Sequence, residues 1–124
     1  MVTRALVSVV DDDESVRESL PHLLREFGYA ARAFASAEEF LVSDYVHHTR
    51  CLLLDVLMPG MTGPDLQREL ALLGQKIPII FITAVEDEPL RERLLGVGGA
   101  VQWLLKPFND TALLRALNAV FLRS

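Results

Sequence analysis

The sequence predicts one α/β domain, a doubly wound five-stranded parallel sheet flanked by five helices. Three observations predict it. Five short apolar runs rich in β-branched residues alternate with segments whose apolar residues recur at helical spacing. Most runs are apolar at nearly every position, as in strands covered on both faces, where a half-solvated antiparallel sheet would alternate. The connections are short, with no repeat, low-complexity tract or linker, so residues 1–124 read as a single unit. With 51% apolar and 23% charged residues in 124, one substantial core is accessible and a second domain does not fit.

Each element has a local cause. Residues 6–10 (LVSVV) form an apolar run stopped by acids, the first strand. Over 14–27, Val16, Leu20, Leu23, Leu24 and Phe27 keep helical spacing and Gly28 supplies a stop. Pro21 is the misfit: in a helix interior it costs about 3 kcal/mol, so a kink or a helix accommodating it is expected. Residues 29–34 make a weaker alternating strand. Ser36 with Glu39 offers a capping box for a short helix, which fades into the polar stretch 46–50. Residues 51–56 (CLLLDV) are the most hydrophobic strand, and Pro59-Gly60 and Thr62-Gly63-Pro64 separate it from a helix over 65–73. Residues 78–83 (PIIFIT) form the fourth strand. A helix around 89–95 follows, then Gly96, Gly98 and Gly99, and a last strand over 101–105. Asn109 or Asp110 caps the closing helix, whose Leu113, Leu114, Leu117, Val120 and Phe121 share a face.

Composition excludes several classes. A lone cysteine, Cys51, rules out an internal disulfide and suits a reducing compartment. No apolar run reaches the roughly 18 residues of a membrane span, so a cytoplasmic location and no membrane contact are expected. The net charge of −5 opposes nucleic-acid contact by this domain, because phosphate backbones are held by clustered Lys and Arg.

In a parallel sheet of this kind ligands sit beyond the carboxyl ends of the strands. Those ends carry Asp11, Asp12, Asp13 and Glu14 after strand one, Asp55 in strand three, Thr83-Ala84 after strand four, and Lys106-Pro107-Phe108 after strand five. Singly each has an ordinary explanation: acids favour a helix N-terminus, an aspartate can end a strand, and a lysine is usually solvated. Jointly they bring acids, a hydroxyl and an amine to one rim. Three close carboxylates repel, and a small hard cation relieves them; Mg2+ binds through one or two carboxylates plus phosphate oxygens. The remaining carboxylate is then free to attack a phosphoryl group. Lys106, and the Thr83 hydroxyl with the Ala84 amide, can neutralise the other equatorial oxygens.

VVDDDESVR, LLDVLMPGMTG, IIFITA and LLKPF, in this order and spacing, resemble the receiver domain of bacterial two-component response regulators over essentially the whole chain. The resemblance implies a flavodoxin-like sheet of order 2-1-3-4-5 and a phosphoacceptor at Asp55. It implies Mg2+ at Asp11, Asp12, Asp55 and the Leu57 carbonyl. It also implies a phosphate-contacting Lys106 followed by a cis Lys106-Pro107 bond, a switch hydroxyl at Thr83, and a switch aromatic at Trp103. The surface of helix four, strand five and helix five is then expected to change on phosphorylation. A sensor histidine kinase is the expected partner and a homodimer on phosphorylation is expected. The domain would catalyse only its own phosphorylation and dephosphorylation. The DDDE opening and the KPF-x-D motif point to a helix-turn-helix transcriptional output elsewhere. The apolar Leu57 and Val85 leave the hydrolytic water unassisted, which implies a long-lived phosphoryl group.

One enzymatic alternative resembles haloacid-dehalogenase-type phosphatases, with Asp11 as nucleophile and Asp13 as acid/base. No acidic pair follows the Lys106 strand, and Asp55 would lose its purpose. A flavodoxin-like FMN site fails because the acid run would repel its phosphate. His47 and His48 are adjacent and make a poor chelate, His22 suits a helix surface, and Cys51 reads as a small buried hydrophobe.

Overall fold

The computed structural model describes residues 4–95 and 99–122. The strands are β1 (Leu6–Val10), β2 (Ala30–Phe34), β3 (Thr49–Asp55), β4 (Ile79–Thr83) and β5 (Ala100–Leu105). The helices are α1 (Glu14–Glu26), α2 (Ala37–Leu41), α3 (Gly63–Leu72), α4 (Glu88–Leu95) and α5 (Asp110–Phe121). All four strand pairings are parallel and the sheet order is β2-β1-β3-β4-β5, as the resemblance implies. The order reverses beside β1 and β3, so the acid-bearing ends of those strands flank the crevice.

Period two sorts the buried residues onto two faces. Val10, Leu52, Leu54, Ile79 and Phe81 pack with Phe40, Leu66, Leu70 and Leu94 of α2, α3 and α4. Val7, Val9, Leu53, Ile80 and Ile82 pack with Leu20, Leu24, Leu113 and Leu117 of α1 and α5. Among the described residues the two faces bury fifteen and twelve apolar side chains, the larger aliphatic and aromatic ones at roughly 1.5–3 kcal/mol apiece.

Local chemistry sets the ends. Gly28, at φ 99°, closes α1 while the amides of Gly28 and Tyr29 bond back to Arg25 and Leu24. The helix runs unbroken through the buried Pro21. Thr62 and Asp65 form a reciprocal capping box for α3, and Asn109 caps α5 through the Ala112 amide. At α2 only half the expected box forms: Ser36 accepts from the Glu39 amide, but Glu39 reaches back to the Ala35 amide instead. The stretch expected to be polar loop is a 3-10 turn (Val46–His48) and then the first residues of β3, because Thr49 is buried against Ser8 with a 2.7 Å hydrogen bond. Gly96 and Gly98 lie outside the described residues.

Candidate phosphoryl and cation site

Strand ends build the site. Asp11 directly follows β1, Asp55 ends β3, Thr83 ends β4, and Lys106 directly follows β5. Asp55 pairs with Ile82 in register, which puts Thr83 one step beyond it, and the Lys106 amide bonds the Thr83 carbonyl at 2.8 Å. Parallel pairing therefore fixes these positions before any side-chain contact is made.

The acid run divides its labour. Asp13 turns away as the N-cap of α1, accepting from the Ser15 amide and hydroxyl at 2.9 and 2.8 Å, and these bonds hold its carboxyl below the usual range. Asp11 and Asp12 are left facing Asp55: one carboxylate oxygen from each of the three lies within 4.8 Å of the others. Asp11 is fully buried and Asp55 is 5% exposed, whereas Asp12 is open to solvent.

Electrostatics follow. The Lys106 ammonium lies 2.7 Å from Asp11 and 3.7 Å from Asp55. Burial depresses its pKa, but the pairing with Asp11 and the charge of Asp55 outweigh this and hold it above the ordinary value. Asp55 goes the opposite way for an acid. Burial first, and then the charge of Asp11, push it up to about 7, against the pull of Lys106 and a hydrogen bond from the Leu57 backbone. One ammonium does not balance three carboxylates, so the donor set, hard oxygens in excess of positive charge, fits a small divalent cation.

Thr83 is 2% exposed and its Oγ accepts from the Val85 amide at 3.2 Å, which leaves the hydroxyl proton to donate elsewhere. Ala84 is exposed beside it, small enough to leave the approach clear. Leu57 and Val85 flank the site with 55% and 47% exposure, and neither carries a group that could orient water. The Lys106-Pro107 bond is cis, as expected. Trp103 faces the α4 side of the sheet, with its ring centroid 6.1 Å from that of Phe81. It is half-buried and lines an open cleft with Glu86, Asp87 and Arg91.

The structure thus brings Asp11, Asp12, Asp55 and Lys106 together, with Thr83 at the neighbouring strand end, while Asp13 turns away to cap α1. The dehalogenase-like alternative fares badly: Asp11, its nucleophile, is sealed beneath Lys106, and Asp13, its acid/base, is committed to capping α1. Sequence reasoning missed Arg17, whose guanidinium donates to the Asp11 carbonyl at 3.2 Å. A basic residue one helical turn after the acid run was the available signal.

Comparison with known proteins agrees. A family model described as the response regulator receiver domain matches residues 7–118. Nodulation protein W of Bradyrhizobium diazoefficiens is 50% identical over 117 residues, 94% of this chain and 51% of that protein. The transcriptional regulatory protein FixJ of Azorhizobium caulinodans is 39% identical over 118 residues, 95% of this chain and 56% of that protein. Among solved structures, response regulator StyR superposes with a TM-score of 0.87 at 42% identity, covering 97% of this chain and 60% of that one. The chain spans about half the length of the curated relatives it matches.

Proposed function

The chain belongs to the response regulator receiver family, and from that premise we propose that Asp55 is its phosphoacceptor, loaded by a sensor histidine kinase. The observation that carries the assignment is the cluster of Asp11, Asp12 and Asp55 carboxylates beside the Lys106 ammonium. Asp11, Asp12, Asp55 and the Leu57 carbonyl would hold Mg2+. When bound, the ion lowers the Asp55 pKa and neutralises charge on the incoming phosphoryl group.

The chain's own residues supply the rest. A carboxylate oxygen of Asp55 attacks phosphorus in line; the P–O bond forms as the P–N bond to the donor histidine breaks, and the imidazole leaves with the electron pair. Lys106 is anchored by Asp11 within reach of Asp55, so its ammonium is in place for a phosphoryl oxygen. The Thr83 hydroxyl and the Ala84 amide serve another. The domain acts on its own side chain, so it is a switch and not a turnover enzyme.

A phosphoryl group adds roughly −1.5 to −2 charge at this rim. By the family resemblance, Thr83 turning to meet it vacates space that Trp103 takes, and the surface of α4, β5 and α5, where Trp103 lines an open cleft, is the one that then changes. A transcriptional output suits a family whose relatives include proteins named as transcriptional regulators. In that case the DNA-binding region is separate from this domain, whose net charge is −5. Among the described residues no helix is long and apolar enough to cross a membrane. Dimerisation on phosphorylation belongs to the same proposal.

Incubation with acetyl phosphate and Mg2+, followed by intact-mass measurement, tests the assignment. Wild type should gain one phosphoryl group and Asp55→Asn none; an adduct on both proteins would mean the acceptor is another residue.

A further inference from the structure

Asp11 is held at several points, and one of them belongs to a residue that the phosphoryl chemistry leaves unused. Its amide donates to the Phe34 carbonyl at 3.1 Å, and its Oδ1 accepts from the Asp13 amide at 2.9 Å. Its carbonyl lies just past Val10, the last paired residue of β1, and among the described residues no backbone N–H is bonded to it. A buried carbonyl needs a donor. The donor is Nη1 of Arg17 at 3.2 Å, from a half-buried side chain in the second turn of α1, where the Arg17 amide is itself bonded to the Asp13 carbonyl at 3.1 Å.

We infer that Arg17 is a positioning residue for the cation site: by gripping the Asp11 carbonyl from α1 it fixes the backbone that aims the Asp11 and Asp12 carboxylates. The inference rests on the proposed cation site. It is separable from a charge effect because the two have opposite signs. A guanidinium beside an acidic site repels a divalent cation, so as a mere charge Arg17 would weaken binding, and its removal would tighten it. As a brace it strengthens binding, and its removal loosens the carboxylates. Groups that orient metal ligands through a hydrogen bond characteristically matter by about tenfold or more in affinity.

Calorimetric titration of the intact chain with magnesium chloride reads the difference. Wild type should bind Mg2+ and Asp12→Asn should bind far less; if wild type binds none, the site reading itself falls. Given that baseline, Arg17→Met, which keeps the apolar stem but no donor or charge, should weaken Mg2+ binding about tenfold. Arg17→Lys, which retains a donor, should recover most of the loss. Should the methionine variant not fold, Arg17→Leu, which likewise has neither donor nor charge, takes its place with the same expected direction. Binding by Arg17→Met as tight as wild type, or tighter, would overturn the inference, whatever happens to the thermal midpoint of the metal-free protein.

Discussion

Asp55 is buried, and in the metal-free fold that burial opposes its ionisation. Burial, and then Asp11, raise its pKa from 3.8 to about 7. An acid whose folded pKa lies above its unfolded one stabilises the fold below the unfolded pKa, and that contribution disappears as pH rises through the folded pKa. The metal-free protein should therefore lose stability from Asp55 between about pH 4 and pH 7, on the order of a few kcal/mol. Urea denaturation of wild type and Asp55→Asn across that range isolates the group. The variant should gain on wild type as pH rises, and Mg2+ should close the gap; a constant difference would contradict the shift.

For Leu57 and Val85 we expect an influence on how long the modification lasts. Both side chains are exposed, two residues past Asp55 and Thr83, and neither carries a polar group that could orient a water. Leu57→Asn/Val85→Glu should hydrolyse its acyl phosphate faster, by at least about tenfold if the new carboxylate acts on the attacking water. Decay of the phosphorylated species followed by intact mass gives the rate. Equal or slower decay in the double variant would remove the idea.

At the scale of elements, the junction between β3 and α3 is the tightest place near the site. A Cβ on Gly63 would lie 2.4 Å from the Asp55 carbonyl oxygen and 3.0 Å from Val56 Cα, both backbone atoms with little freedom to retreat. Gly63→Ala should cost about 2 kcal/mol and displace Asp55, so phosphorylation should fall with stability. Gly74→Ala is the contrast: φ is +74° but the space is open, so about 1 kcal/mol is lost with phosphorylation intact. Equal rates of phosphorylation in both variants would show that the close approach does not position Asp55. Such a contact is invisible in Thr62-Gly63-Pro64 read as a turn, because it depends on backbone seven and eight residues upstream.

The same division explains what the sequence revealed of the other elements. The five strands and their helices were legible because burial on both faces leaves apolar runs, and only the boundaries moved by a residue or two. Thr49 and Arg50 were misread as loop because the polar Ser8–Thr49 pair is satisfied inside the sheet, which hydropathy does not register. Glu39 missed its expected partner because its side chain found the Ala35 amide first.

Across the whole molecule, the parallel sheet does the gathering. Asp11, Asp55, Thr83 and Lys106 are separated by tens of residues, yet each stands at the same end of its strand, so naming the strands named the rim. The bracing of Asp11 by Arg17, and the commitment of Asp13 to the cap of α1, required coordinates, because both depend on which way a side chain turns after its backbone is placed. Where the phosphoryl group lands decides whether one carboxylate reacts while its neighbours hold the cation. Borohydride reduction of the acyl phosphate formed with acetyl phosphate and Mg2+, followed by peptide mass mapping, locates it. Conversion of Asp55 alone to homoserine is the expected result, and label at Asp11 or Asp12 with Asp55 unmodified would contradict the account.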